Sequence, residues 1–206
     1  MSAIATPTAP AGTTTPPPAN PGPKPWKWTC DQYYELGRRG FFDRKRVELI
    51  FGEIVEMSPI GWFHRVGCRK TAELMERAFA GRGWVHRAEP IDMTHSDPQP
   101  DVAVIPGRFE DYTDHPTTAL LIVEVSDTSL NYDLTTKAEL YATANVDEYW
   151  VLDVTGRQLV VFRDPQPLAA ALGAVAYQTR LTLAATDSVS PLHAPNVTVA
   201  VADLLP

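Results

Sequence analysis

Leu120-Leu121-Ile122-Val123-Glu124-Val125-Ser126 is an apolar run that ends on a carboxylate and a hydroxyl. Such a run reads as a strand buried on both faces. A second short run, Asp101-Val102-Ala103-Val104-Ile105, opens on a carboxylate directly after Pro100. A lone carboxylate in either place costs on the order of several kcal/mol unless a cation or a proton compensates it. Two such groups, followed by Lys137 on the next helical segment, predict a divalent-metal site with a positive neighbour.

Strand alternation places Leu120, Ile122, Glu124 and Ser126 on one face, and Asp101 on one face with Ala103 and Ile105. Adjacent strands would bring the two carboxylates together at one end of a sheet. On a helix over residues 134–144, Lys137 shares a face with Leu134, Leu140, Tyr141 and Ala144. A lysine on that inward face calls for a partner. The alternative is a stem lying over the core with its head in water.

Outward from these runs, the pattern alternates helices and strands. Thr29 is the expected N-cap of a short helix carrying Tyr33, Tyr34 and Leu36, which Gly37 or Gly40 ends. Residues 46–51 and 53–57 flank Gly52 as a hairpin. A helix is expected from Trp62 to Ala80, with Val66, Met75, Ala78 and Phe79 on its apolar face and Gly81 and Gly83 stopping it. Strands follow at 84–93, 101–105 and 120–125, and Asp133 is expected to cap a helix reaching Ala144. Residues 148–154 and 158–162 make a second hairpin through Thr155-Gly156, with further strands near 175–183 and 197–201. The fold class is α/β (α+β), a central mixed β-sheet flanked by helices with added β-hairpins.

Residues 1–25 hold 8 of the 19 prolines and almost no large apolar groups, the composition of a disordered tail. Residues 26–206 are expected to be a single domain. Cys30 and Cys68 are too few for a disulfide framework and are not spaced as a zinc pair, so a reducing cytoplasm is expected. No run is long enough for a membrane span, and the N-terminus lacks signal-peptide features.

The net charge of −7 argues against a generic nucleic-acid binder. Its distribution is uneven: residues 24–87 hold 13 of the 18 Lys+Arg and 8 of the 25 Asp+Glu, a local balance of +5. A basic surface from the first half facing a polyanion is one reading, and chance asymmetry on a solvated surface is the other.

Pro100-Asp101 followed by Glu124-Val125-Ser126 resembles the PD-(D/E)XK nuclease superfamily. The segments Val47 to Pro59, His64, Gln99 to Val104, Leu121 to Ser126, Asp133, Lys137, Tyr141 and Glu148 to Asp153 more closely resemble the bacterial family of putative restriction endonucleases abundant in cyanobacteria and actinobacteria. The likeness spans about residues 29–164 and implies a restriction-endonuclease-like core. It also implies a metal-dependent endonuclease that hydrolyses phosphodiester bonds in DNA with Mg²⁺ or Mn²⁺. The superfamily places a lysine two residues after the second acid, where this chain has Ser126; the resemblance implies that Lys137 supplies it from the following helix.

The resemblance also implies that Glu48 completes the metal shell with Asp101 and Glu124, the alternative being a surface pair with Arg46. His64, at a helix N-terminus, either touches a phosphate, a water or the metal sphere, or is a local cap. The expected catalytic set is Asp101, Glu124, Lys137, Glu48 and His64.

Other residues read as structural. Asp127 and Asp133 are expected to organise a loop and cap a helix, and Tyr149 and Trp150 to pack in the core. His86 and His95 lack partners at ligand spacing, and Ser126 has no visible base. There is no glycine-rich phosphate loop and no nucleophile elbow. The rival reading is a catalytically silent module of the same fold that binds nucleic acid or a protein partner. A homodimer fits an enzyme that cuts both strands of a duplex.

Overall fold

Helix α1 (Cys30–Arg38) starts at the expected N-cap, Thr29, and the cap is reciprocal: Thr29 Oγ1 accepts from the Gln32 N–H and the Gln32 side chain accepts from the Thr29 N–H. In this computed structural model, residues 22–168 and 174–206 are described. Most of the expected N-terminal tail, residues 1–21, therefore lies outside them.

The expected hairpin around Gly52 pairs β1 (Val47–Ile50) with β2 (Glu53–Glu56), with Val47 opposite Glu56 and Ile50 opposite Glu53. Phe51 and Gly52 both have positive φ, the conformation that a two-residue turn matching strand twist demands. The Asp97 N–H donates to Leu49 O at 2.7 Å and Ser96 Oγ accepts from the Phe51 N–H, so residues 96–97 tie the hairpin down.

A six-stranded sheet of order β3-β4-β5-β6-β7-β8 forms the centre of the fold. Its strands are β3 (Gly83–His86), β4 (Val102–Pro106), β5 (Leu121–Ser126), β6 (Glu148–Asp153), β7 (Gln158–Pro167) and β8 (Val175–Ala184). Only β5 and β6 run parallel, and the helical crossover between them includes Lys137. The mixed sheet with helices and an added hairpin is the expected fold class.

Both faces of the sheet are covered. Val102, Val104, Leu121, Val123 and Val125 pack under helix α2 (Trp62–Ala78), while Ala103, Ile105, Ile122, Tyr149 and Val151 pack under the crossover helix. This two-sided burial explains the near-continuous apolar runs of β4 and β5. Glu148, fully buried at the start of β6, is held by Arg163 Nε at 2.8 Å, Trp150 Nε1 at 2.9 Å and the Leu192 N–H at 2.7 Å. Tyr149 and Trp150 are core residues, as expected.

Several local expectations need correction. The buried seam of α2 runs through Gly67, Thr71, Ala72, Met75 and Ala78, with Val66 half-buried beside it. Gly67 is the closest approach: a Cβ there would lie 2.9 Å from Val125 Cγ1. Gly81 follows the helix at positive φ, but Gly83 opens β3, where a Cβ would meet Ile105 O at 2.5 Å. Strand β3 stops at His86, because residues 87–100 turn away to brace the first hairpin. Leu120 precedes β5 and packs with the α2 layer, not on the Glu124 face. The expected strand near 197–201 is a short one, β10 (Val199–Ala200), paired with β9 (Ser188–Val189) outside the main sheet, and it leads into helix α5 (Val201–Leu204).

The crossover helix also starts earlier than expected. It comprises α3 (Leu130–Tyr132), a π-helical turn over Asp133–Lys137 and α4 (Ala138–Thr143). Asp133 is thus inside the helix and not its cap. Its carboxylate accepts from Ser126 Oγ and from Ser129 Oγ, the latter at 2.6 Å, pulling the helix towards the end of β5. A widened turn carrying two buried charged residues is the kind of irregularity that concentrates at functional sites.

Candidate active site

Antiparallel pairing of β4 and β5, with Val102 opposite Val123, places Asp101 beside Glu124 at one end of the sheet. The Asp101 N–H donates to Glu124 Oε2 at 3.1 Å, and the Val125 N–H donates to Asp101 Oδ2 at 2.8 Å. The two carboxylates thus meet as strand alternation predicted.

Lys137 enters from the π-helical turn and is 1% exposed. Its Nζ lies 3.1 Å from Glu124 Oε1 and 2.5 Å from Glu48 Oε2. This excludes both the snorkelling reading of Lys137 and a surface pair between Glu48 and Arg46: Glu48 is 2% exposed and points inward from β1. Tyr141, one turn beyond Lys137, donates its hydroxyl to Glu124 Oε1 at 2.7 Å.

His64 sits on the first turn of α2, and its Nε2 is 3.0 Å from Asp101 Oδ2. Its Nδ1 faces Cys68 Sγ at 3.3 Å, one turn further along the same helix. All five expected residues therefore line or join one constellation. Glu48, His64, Asp101, Glu124, Asp133 and Lys137 contribute to the walls of a cleft of about 320 Å³ that opens between the first hairpin and the start of α2.

The electrostatics are dominated by burial. Desolvation pushes the Glu124 pKa up, and the adjacent Lys137 charge opposes it. Desolvation would lower the Lys137 pKa, but Glu124 and Glu48 together outweigh it and hold the ammonium charged. Asp133 is also raised by burial, with its two serine donors opposing. Glu48 and Glu124 share one buried lysine and Asp101 lies beside Glu124, and this excess of carboxylate favours a further cation. Oxygen donors of this kind suit Mg²⁺ or Mn²⁺.

Residues outside the expected set also matter. Tyr141 and Cys68 were detectable as i+4 partners of Lys137 and His64. The link of Ser126 to Asp133 carried no local signal. Ser126, fully buried at the position where the superfamily keeps its lysine, is committed to that link. His86 bonds the Pro90 carbonyl at 3.0 Å, apart from this cleft.

Comparison with known proteins agrees with this architecture. A crystal structure of a putative nuclease belonging to DUF820 from Anabaena variabilis ATCC 29413 is similar to the chain, with a TM-score of 0.69 and 13% sequence identity. The likeness covers 85% of this chain and 96% of that one, and at this identity it concerns the fold. No curated protein matches the chain. No helix among the described residues is long and apolar enough to cross a membrane. The family model Uma2, described as "Putative restriction endonuclease", matches residues 30–202, further towards the C-terminus than the motifs alone reach, and the chain belongs to that family.

Proposed function

We propose that this chain is a divalent-metal-dependent endonuclease hydrolysing phosphodiester bonds in DNA, through a single nuclease-like domain over residues 26–206. The observation that carries the reading is the convergence of Glu48, Asp101, Glu124 and Lys137 on one cleft. Asp101, Glu124 and Glu48 would hold Mg²⁺ or Mn²⁺. Such an ion, when bound, would supply a water of lowered pKa and would offset charge on the scissile phosphate.

The remaining roles belong to the chain's own residues. Lys137 keeps its charge between two carboxylates and offers Nζ–H donors to the attacking water and to negative charge developing on the phosphate. His64 orients Asp101 through its Nε2 contact. Tyr141 fixes one oxygen of Glu124, leaving the carboxylate a single orientation. Arg46 and Arg65, exposed near the cleft, provide contacts to the phosphate backbone, which predicts salt-dependent binding. The setting proposed is the cytoplasm, consistent with two free cysteines, and the working form a homodimer that presents two sites to a duplex.

One observation favours a second reading, a catalytically silent module that binds nucleic acid or a protein partner. Both Glu124 oxygens are already engaged, by Lys137 and Tyr141 on one side and the Asp101 N–H on the other. A cleavage assay on supercoiled plasmid, single-stranded DNA and RNA with Mg²⁺ or Mn²⁺ separates the two. Metal-dependent cutting by the wild type, lost in Asp101→Asn, Glu124→Gln and Lys137→Ala, supports the nuclease. Absence of both cutting and metal binding at millimolar concentrations supports the silent module.

A further inference from the structure

The wall of the cleft formed by His64 and Asp101 has a second side. There a cavity of about 480 Å³ opens, and Cys68, His64, Asp101, Ile60 and Arg65 help to line it. Glu48, Glu124 and Lys137 face the other cleft. This second cavity therefore gives Cys68 its own access to solvent.

We propose that Cys68, His64 and Asp101 form a distinct metal site for a thiophilic divalent cation of the zinc class, with its fourth position open to water. One ligand atom from each residue lies within 4.8 Å of the others. His64 Nε2 is 3.0 Å from Asp101 Oδ2 and 4.0 Å from Cys68 Sγ. Tetrahedral zinc with ordinary bond lengths separates such donors by about 3.4–3.6 Å. Shifts of about half an ångström bring these two pairs to such separations, the Cys68 thiol starts within 4.8 Å of the Asp101 carboxylate, and His64 and Cys68 are already brought to one face by their i, i+4 spacing on α2.

The donor set distinguishes this site from the oxygen-lined one. A thiol and an imidazole favour zinc, cobalt or copper over Mg²⁺. Without a cation, burial and then the charges of Asp101 and Glu124 keep the thiol protonated, so binding releases a proton. Because Asp101 belongs to both donor sets, filling the softer site engages a carboxylate that the nuclease reading also requires. The site itself stands whether or not the chain cleaves nucleic acid.

Cobalt titration of the full chain tests this directly. Wild type and Cys30→Ser should each develop a thiolate-to-cobalt charge-transfer band in the near ultraviolet that saturates at one equivalent and is displaced by Zn²⁺. Cys68→Ser, checked by thermal melting to be folded, should lose the band. No band in the wild type overturns the proposal, as does a band that survives in Cys68→Ser or disappears in Cys30→Ser. None of these readouts depends on cleavage, so failure here is separable from failure of the nuclease reading.

Discussion

Lys137 Nζ lies 2.5 Å from Glu48 Oε2, joining the crossover helix to a hairpin 89 residues earlier in the chain. Both side chains are almost wholly buried, at 1% and 3% exposure. Breaking a buried pair by removing one partner leaves an uncompensated charge and typically costs about 3–5 kcal/mol. Lys137→Met should destabilise the protein by about that amount in urea unfolding at pH 7, since Glu48 and Glu124 both lose their cation. A loss under about 1 kcal/mol would show that the pair is hydrated in solution and worth no more than a surface bridge.

Divalent metal should stabilise the fold independently of any substrate. Ligand at a hundredfold excess over its Kd adds about 2.7 kcal/mol to stability. Mn²⁺ is therefore expected to raise the melting temperature of the wild type and to have much less effect on Asp101→Asn. Equal shifts in the two proteins would remove Asp101 from the metal shell.

Gly67 allows α2 to approach the sheet and so brings His64 to Asp101. In Gly67→Ala the new Cβ would lie 2.9 Å from Val125 Cγ1 and 3.4 Å from Leu152 Cδ2. Alanine gains about 1 kcal/mol in helix propensity, but overpacking against a stiff valine costs about 1–3 kcal/mol. The expected net effect is a modest loss of stability, with weakened metal binding because His64 moves away from Asp101. A variant more stable than wild type would mean that the interface gives way freely.

Asp97 predicts a pH dependence away from the cleft. It is 1% exposed and accepts from Tyr34 Oη at 3.0 Å. Burial pushes its pKa up from 3.8 to about 6, with the Tyr34 hydrogen bond and the His115 charge opposing. The folded state therefore holds the proton more tightly than the unfolded one. The stability from this group is complete below about pH 4 and falls as pH rises towards 6. Asp97→Asn should lack that fall, so its stability relative to wild type should rise between pH 4 and 6 in urea titrations. Parallel pH profiles for the two proteins would contradict this.

Ser126 gives a further test, at the position where the superfamily keeps its lysine. Ser126→Ala removes one of two hydroxyl donors from the buried Asp133 carboxylate and should cost about 1–3 kcal/mol. Unchanged stability would mean that Ser129 alone satisfies Asp133.

Local pattern determined the parts of this protein that depend on neighbours in sequence. Alternation along Leu120 to Ser126 and Asp101 to Ile105 places two carboxylates at one sheet end, because side-chain direction in a strand has a period of two. Helical spacing turns Lys137 inward with Tyr141 because residues four apart share a face. The motifs around these residues also identified the family that the matched region bears out.

Tertiary packing decided the rest. Whether Glu48 faces solvent or Lys137 depends on how residues 87–100 hold the first hairpin against the sheet, an arrangement between distant segments that no local periodicity contains. The π-helical turn has the same origin: two serines draw Asp133 towards β5 and override the regular helical repeat expected there. Cys68 shows the point at its simplest. Its spacing to Cys30 excluded a paired-cysteine zinc site; helical spacing sets its thiol beside His64, and only the packing of α2 on the sheet brings the two to Asp101. Sequence period sets the face on which a side chain lies, whereas the side chain opposite it is set by which faces bury each other.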